Sequence, residues 1–168
     1  MTEPILPDAE QLLTALTAQM RPHVTAQTGL IGIVTGGAWL AQRLHRELKL
    51  EVPQGSLDVS FYRDDFQDKG LKHKITPSAI PFEVEGRDLI LVDDVLNTGR
   101  TIRAAMNELF DYGRPARIRL AALVDRGGRE LPIAAQFLGA SIEIPVRYSI
   151  HLEQDTRGKL RLALHDVS

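Results

Sequence analysis

The sequence predicts an α/β fold, with a mostly parallel central sheet flanked by helices. Three observations carry that reading. Short apolar runs recur along the chain, "LIGIV" (30–34), "LILV" (89–92) and "IRLAALV" (118–124), and continuous runs of this kind mark strands buried on both faces. The first two lead into small polar turns and then into apolar residues at helical spacing, the strand–turn–helix unit of parallel sheets. The last quarter changes period, because "RYSIHLEQDTRGKLRLALH" alternates apolar and polar residues on both sides of a turn at 155–158, as a C-terminal hairpin does.

Each element has its own signal. Asp8 stands three residues before Gln11, a capping-box spacing, and Ala9, Leu12, Leu13, Leu16 and Met20 recur on one helical face. After the strand at 30–34 comes the turn Thr35-Gly36-Gly37, and residues 38–48 are expected to be helical, with Leu40, Leu44 and Leu48 aligned. "SLDVSFY" puts Leu57, Val59 and Phe61 on one side of a second strand. A polar segment follows at 63–81, carrying Lys69, Lys72, His73, Lys74 and Pro77. Long structureless segments inside compact domains are often lids or binding loops, and a lid is the favoured reading over a solvated hairpin or a partner contact. The third strand is expected at 89–92. Ile102, Ala105, Met106, Leu109 and Phe110 mark the helix after it, with Gly113 as its stop. A fourth strand ends at Asp125. With neither internal repeat nor linker, the 168 residues are expected to form a single domain.

Composition narrows the function classes. The content is 43% hydrophobic and 25% charged, and no run of the sequence reaches the length of a membrane span. The N-terminal "MTEPILPDAE" lacks the basic and apolar regions of a secretory signal, so a cytoplasmic protein is expected. Cysteine is absent, which removes disulfide and thiolate chemistry. The net charge of −2 argues against a broad nucleic-acid-binding surface. The histidines are scattered without metal-ligand spacing, so no metal held by the protein alone is expected. Trp39 is read as core or interface, and Arg114, Arg117 and Arg119 as a solvated basic face.

Chemistry concentrates in "LILVDDVLNTGRT", 89–101. Ligands of open α/β sheets bind outside the carboxyl ends of the strands. Three such ends here carry polar or Gly-rich turns: Thr35-Gly36-Gly37, the stretch from Asp93 onward, and Asp125-Arg126-Gly127-Gly128. Thr98-Gly99-Arg100-Thr101 lies at a helix start, where free N–H groups favour an anion and Gly99 lets the backbone come close. The turn lacks the spacing and the Gly-Lys-Ser/Thr ending of a P-loop, so a single phosphate suits it better than a polyphosphate. Asp93 and Asp94 need a partner beside such an anion. Sugar hydroxyls donate to carboxylates, and magnesium carried in with the substrate also binds them. A ribose 5-phosphate satisfies both halves of the motif. The competing structural reading has Asp93 capping the helix and Asp94 paired with an arginine.

The same stretch resembles the phosphoribosyl pyrophosphate (PRPP) signature of type I phosphoribosyltransferases. "LIGIVTGGAWLAQRL", "DVSFYRDD" and "FDYGRPARIRLAALVDRGGRELPI" are similar to segments of one branch, the PyrR family of pyrimidine operon attenuators and uracil phosphoribosyltransferases. The resemblance covers about 30–139, and the hairpin matches it only loosely. It implies a type I phosphoribosyltransferase-like fold with a flexible lid, substrates PRPP and uracil, product UMP, substrate-bound Mg2+, and a homodimer or higher oligomer. It assigns the 5-phosphate to Thr98, Gly99, Arg100 and Thr101, and the ribose hydroxyls to Asp93 and Asp94. Thr35, Gly36 and Gly37 become the pyrophosphate loop. Arg63, in the lid segment, joins Asp93 and Asp94 as a catalytic residue. Val124, Asp125 and Arg126 border the base. Asn97 stands where purine-salvage relatives carry an acidic residue, which favours a pyrimidine.

Three departures from that family stand out. Gly36 replaces the arginine of a Thr-Arg-Gly loop, which predicts weak turnover. "RGGRELP" has Gly128 where the attenuators have histidine, and the first helix carries Ala15 and Ala18 where they have basic residues. The last two changes remove groups expected to meet RNA phosphates, so an RNA leader is a partner the family implies and these residues argue against. The alternatives to an enzyme are an RNA-binding attenuator and a nucleotide sensor.

Overall fold

The computed structural model describes residues 3–59 and 78–168. Helix α1 (Ala9–Met20) is followed by a 3-10 turn (Arg21–His23), strand β1 (Gly29–Ile33), helix α2 (Gly36–Leu48) and strand β2 (Gly55–Leu57). Strand β3 (Asp88–Leu96), helix α3 (Arg100–Leu109), β4 (Arg117–Asp125) and β5 (Phe137–Ser141) come next, then β6 (Tyr148–Gln154) and β7 (Leu160–Asp166). Five parallel strands form one sheet in the order β2-β1-β3-β4-β5, and β6 and β7 form the antiparallel hairpin.

Period-two alternation divides the sheet into two cores. Leu30, Ile90, Val92, Ala121 and Leu123 face α1, α2 and the hairpin. Ile31, Ile33, Leu89, Leu91, Leu120 and Ala122 face the other way, toward Ile102, Ala105 and Leu109 of α3. Helices α2 and α3, which leave the ends of neighbouring strands β1 and β3, therefore cover opposite faces. This is the topological switch point of an open α/β sheet, and the diverging chains leave a crevice between the strand ends.

The expected N-cap is present: Asp8 accepts a hydrogen bond from Gln11 N–H at 3.1 Å. Trp39 packs partly buried against the core. Five details differ from the sequence reading. Helix α2 begins at Gly36 rather than 38, because the Gly-Gly pair is the helix's own first turn. Strand β3 runs on to Leu96, since Asp93, Val95 and Leu96 stay in register with Ala122, Val124 and Asp125 of β4. The polar segment ends before 81, because Ala79 pairs with Ser56 and the Ser78 hydroxyl donates to Glu108 at 2.8 Å. Its remainder, including Arg63 and the lysines, lies outside the described residues, as does Phe61 of the expected second strand. Strand β5 was not anticipated. Finally, Arg119 leaves the solvated face on which Arg114 and Arg117 lie exposed: its side chain is 11% exposed, binds Asp88 and lies over the Phe137 ring, 5.3 Å from its centroid, while Arg117 pairs with Asp88 from the surface.

Candidate active site

The three turns meet at the carboxyl edge of β1, β3 and β4. Thr35 is the N-cap residue of α2 and follows a cis Val34–Thr35 peptide. Gly36 lies directly against the Asp94 carboxyl group: a Cβ built on it would stand 2.8 Å from Asp94 Cγ and closer still to Oδ2. A Cβ on Gly37 would strike the Val92 carbonyl. The first turn is thus seated on the end of β3, Gly36 against the Asp94 side chain and Gly37 against the backbone.

Asp93 and Asp94 are inside β3, 4% and 8% exposed. Asp93 Oδ1 accepts from Asp94 N–H at 2.9 Å, and Asp94 Oδ1 accepts from Val95 N–H at 2.8 Å. The N-cap residues of the two flanking helices are Thr35 and Gly99, so Asp93 caps neither. No arginine among the described residues pairs with Asp94. Burying two adjacent carboxylates is unfavourable unless cations or hydrogen-bond donors meet them, and they stand at the crevice where a ligand can supply such groups.

The second turn is Asn97-Thr98-Gly99. Gly99 takes φ +93°, a left-handed conformation open to glycine, and caps α3. Thr98 Oγ1 accepts from Arg100 N–H at 3.1 Å, so one of the helix-start donors is used within the turn. Thr101 is half-buried. Arg100 Nη2 is paired with Glu130 at 2.9 Å on an exposed surface, where such a pair contributes little stability.

The third turn reaches over the second. Arg126 N–H donates to the Leu96 carbonyl, and the N–H groups of Glu130 and Leu131 donate to the Thr98 carbonyl at 2.9 and 3.1 Å. Arg129 donates to the Asn97 carbonyl and to Asp125 Oδ2, both at 2.6 Å. Gly128, at φ +78°, lies against Asn97 Oδ1. Burial pushes the Asp125 carboxyl upward, but the Arg129 hydrogen bond and the Gly127 N–H outweigh it, and its pKa ends below the ordinary carboxylate value. Val124 is fully buried in the core. Arg126 donates to the Tyr148 carbonyl at 2.8 Å, and burial lowers its pKa. Beside Asp125 and Arg126 a cavity of about 360 Å³ opens, with Ser141, Ile142 and Glu143 on its far wall.

The structure therefore brings Thr35, Gly36, Gly37, Asp93, Asp94, Asn97, Thr98, Gly99, Arg100 and Thr101 to one edge, with Asp125 and Arg126 beside them. Sequence reasoning missed Arg129, Glu130 and the wall at 141–143. The run "RGGREL" is the only local sign of Arg129, and nothing in it names its partners.

The fold and this edge belong to a known class. The phosphoribosyl transferase domain family matches residues 5–151, and the chain is a member of it. A hypoxanthine-guanine phosphoribosyltransferase from Bacillus anthracis superposes with a TM-score of 0.65 at 21% identity, over 85% of this chain and 84% of that one; at that identity the likeness extends to the fold alone. Within the class, a Pseudomonas aeruginosa (strain LESB58) protein called Bifunctional protein PyrR is 51% identical over 144 residues, 83% of this chain and 84% of the relative. A Pseudomonas fluorescens protein of the same name is 45% identical over 167 residues, 97% and 98% of the two chains. The chain belongs to the PyrR family. Among the described residues no helix is long and apolar enough to cross a membrane.

Proposed function

We propose that the chain transfers the phosphoribosyl group of PRPP to uracil, giving UMP and pyrophosphate. The observation that carries this is the seating of two strand-end turns around a buried carboxylate pair at the β1/β3 switch point. In this reading the turn 98–101 takes the 5-phosphate through helix-start N–H groups and the threonine hydroxyls. Asp93 and Asp94 accept hydrogen bonds from the ribose hydroxyls, which relieves the cost of burying them. The N-terminus of α2 at Thr35, Gly36 and Gly37 faces the pyrophosphate with its N–H groups.

Phosphoribosyltransferases generally use Mg2+ with PRPP, and the carboxylate oxygens of Asp93 and Asp94 fit that hard cation. The metal would neutralise charge on the departing pyrophosphate. The residues themselves position the sugar and stabilise charge. As the bond from C1 to the pyrophosphate oxygen breaks, the adjacent carboxylates favour the positive charge that develops on the ribosyl ring. The uracil nitrogen then bonds to C1 and its proton is lost. Arg63, which lies outside the described residues, is assigned a catalytic role by the family resemblance. Asp125 and Arg126 border the base beside the cavity at 141–143, with Val124 behind them in the core rather than at the base. Asn97 favours a pyrimidine because an amide cannot serve as the acid–base partner of a purine ring.

Release of pyrophosphate from PRPP with magnesium, uracil and hypoxanthine in parallel tests the reading. Turnover with uracil supports it. Turnover with hypoxanthine alone overturns the base assignment, and no heat on titrating UMP or PRPP into folded protein overturns the site. The regulatory half of the family rests on RNA contacts. The outer face of α1 offers Gln11, Thr14, Ala15, Ala18 and Gln19, without a cation, and Arg129 is engaged inside the site. The enzymatic reading is therefore preferred.

A further inference from the structure

We infer that Arg129 is a positioning residue of this reaction, a clasp that holds the phosphate turn and the base-side turn in one fixed relation. It touches no substrate in this reading and acts through two partners. One guanidinium nitrogen reaches the Asn97 carbonyl, where the turn leaves β3, and another reaches Asp125 Oδ2, where the chain leaves β4, each at 2.6 Å. Both bonds are short and charge-assisted, the stronger kind. The planar fork of arginine can serve two fixed acceptors at once, whereas a lysine is a single point charge.

The rest of the segment 126–133 closes on the same turn. Arg126 N–H holds Leu96 O, the Glu130 and Leu131 N–H groups hold Thr98 O, and Gly128 and Ile133 pack against Asn97 and Gly99. Among the described side chains at this edge, Arg129 reaches both Asn97 and Asp125, Arg100 pairs with Glu130 on the exposed surface, and Arg126 spends its guanidinium on the hairpin at Tyr148. Both oxygens of Asp125 are engaged as well. Its Oδ1 accepts from Gly127 N–H at 2.9 Å, and its Oδ2 is taken by Arg129. The carboxylate is thus a fixture of the clasp at the edge of the cavity walled by 141–143.

The inference rests on the turn 98–101 being the phosphate site. Steady-state kinetics and UMP calorimetry on the wild type, Arg129→Gln and Arg129→Lys test it. For Arg129→Gln the KM for PRPP and the Kd for UMP are expected to rise about tenfold or more, with kcat changed less than threefold, because the turn is misplaced while the reacting groups remain. Arg129→Lys is expected to recover part of that loss but not all of it. A merely structural arginine would instead lower kcat through the folded fraction and leave KM alone, and that result overturns the inference. So does a lysine variant equal to wild type. Should Arg129→Gln fail to fold, the lysine variant alone decides, with a KM at least threefold above wild type expected. If the wild type binds neither PRPP nor UMP, the phosphate-site reading fails rather than the clasp.

Discussion

Replacing Gly36 by alanine is the sharpest test of how the first turn sits on the end of β3. Helix propensity alone predicts stabilisation, by up to about 1 kcal/mol for alanine over glycine in a helix. The packing predicts the opposite sign. The new Cβ would stand 2.8 Å from Asp94 Cγ and 3.0 Å from Asp94 Cβ, well inside ordinary carbon contact at about 3.5–4.0 Å. Asp94 is short and buried, and it is held by its 2.8 Å bond from Val95 N–H. It can yield only by turning off that bond. Overpacking of this kind costs about 1–3 kcal/mol, a fall in melting temperature of roughly 2–12 °C for a chain of this size. If Asp94 also accepts a ribose hydroxyl, losing that charged hydrogen bond costs ~1.5–3 kcal/mol of binding, about tenfold to a hundredfold in Kd. Scanning fluorimetry and calorimetry with PRPP and magnesium measure both numbers. Gly37→Ala, whose Cβ would meet the immovable Val92 carbonyl, should be the less stable of the two. An alanine at 36 that leaves melting and affinity unchanged, or raises the melting temperature, would refute the reasoning. The same contact explains why the family's arginine cannot be restored at 36 without moving Asp94.

Three further outcomes are expected. Asp93→Asn with Asp94→Asn keeps the acceptors for the Asp94 and Val95 N–H groups, so the fold should survive while PRPP binding falls at least a hundredfold; a melted protein that still binds UMP would make the carboxylates structural. Gly128→His places a side chain at φ +78° against Asn97, a left-handed cost of about 1–2 kcal/mol, and should lower the urea midpoint and weaken UMP binding together. Glu10 joins α1 to α2 and to the hairpin: it accepts two hydrogen bonds from Arg43 and one from Leu160 N–H. The Arg43 bond holds its carboxyl below the ordinary value, burial opposing and Leu160 N–H adding to it. A lowered folded pKa stabilises above the unfolded value, about 4.3, and that stability is lost as the pH falls through the folded one. The urea midpoint of wild type should therefore exceed that of Glu10→Gln at neutral pH, and the gap should shrink below about pH 4. A gap independent of pH would show that the carboxylate charge is not what joins them.

Local signals carried most of the architecture. Apolar runs specified β1, β3 and β4, a 3.6-residue period specified the three helices, and alternation specified the hairpin, because each depends only on neighbours along the chain. The signature at 93–101 was legible for the same reason: carboxylates, a glycine turn and a helix start are adjacent in sequence. Strand β5 was not legible. "FLGAS" is short and half-exposed, and its strand character comes from pairing with β4. Nor was the extension of β3 through two aspartates, residues that local preference places outside strands, until β4 held them in register.

By itself the sequence determined the class of fold, the strand-end turns and the residues proposed to meet a phosphorylated sugar. Only the tertiary structure decided that Gly36 makes room for Asp94, that Asp88 pairs with both Arg117 and Arg119, and that Arg129 ties Asn97 to Asp125. These are contacts between segments set by the crossing of strands, and a side chain's partner across the sheet leaves no trace in the residues beside it.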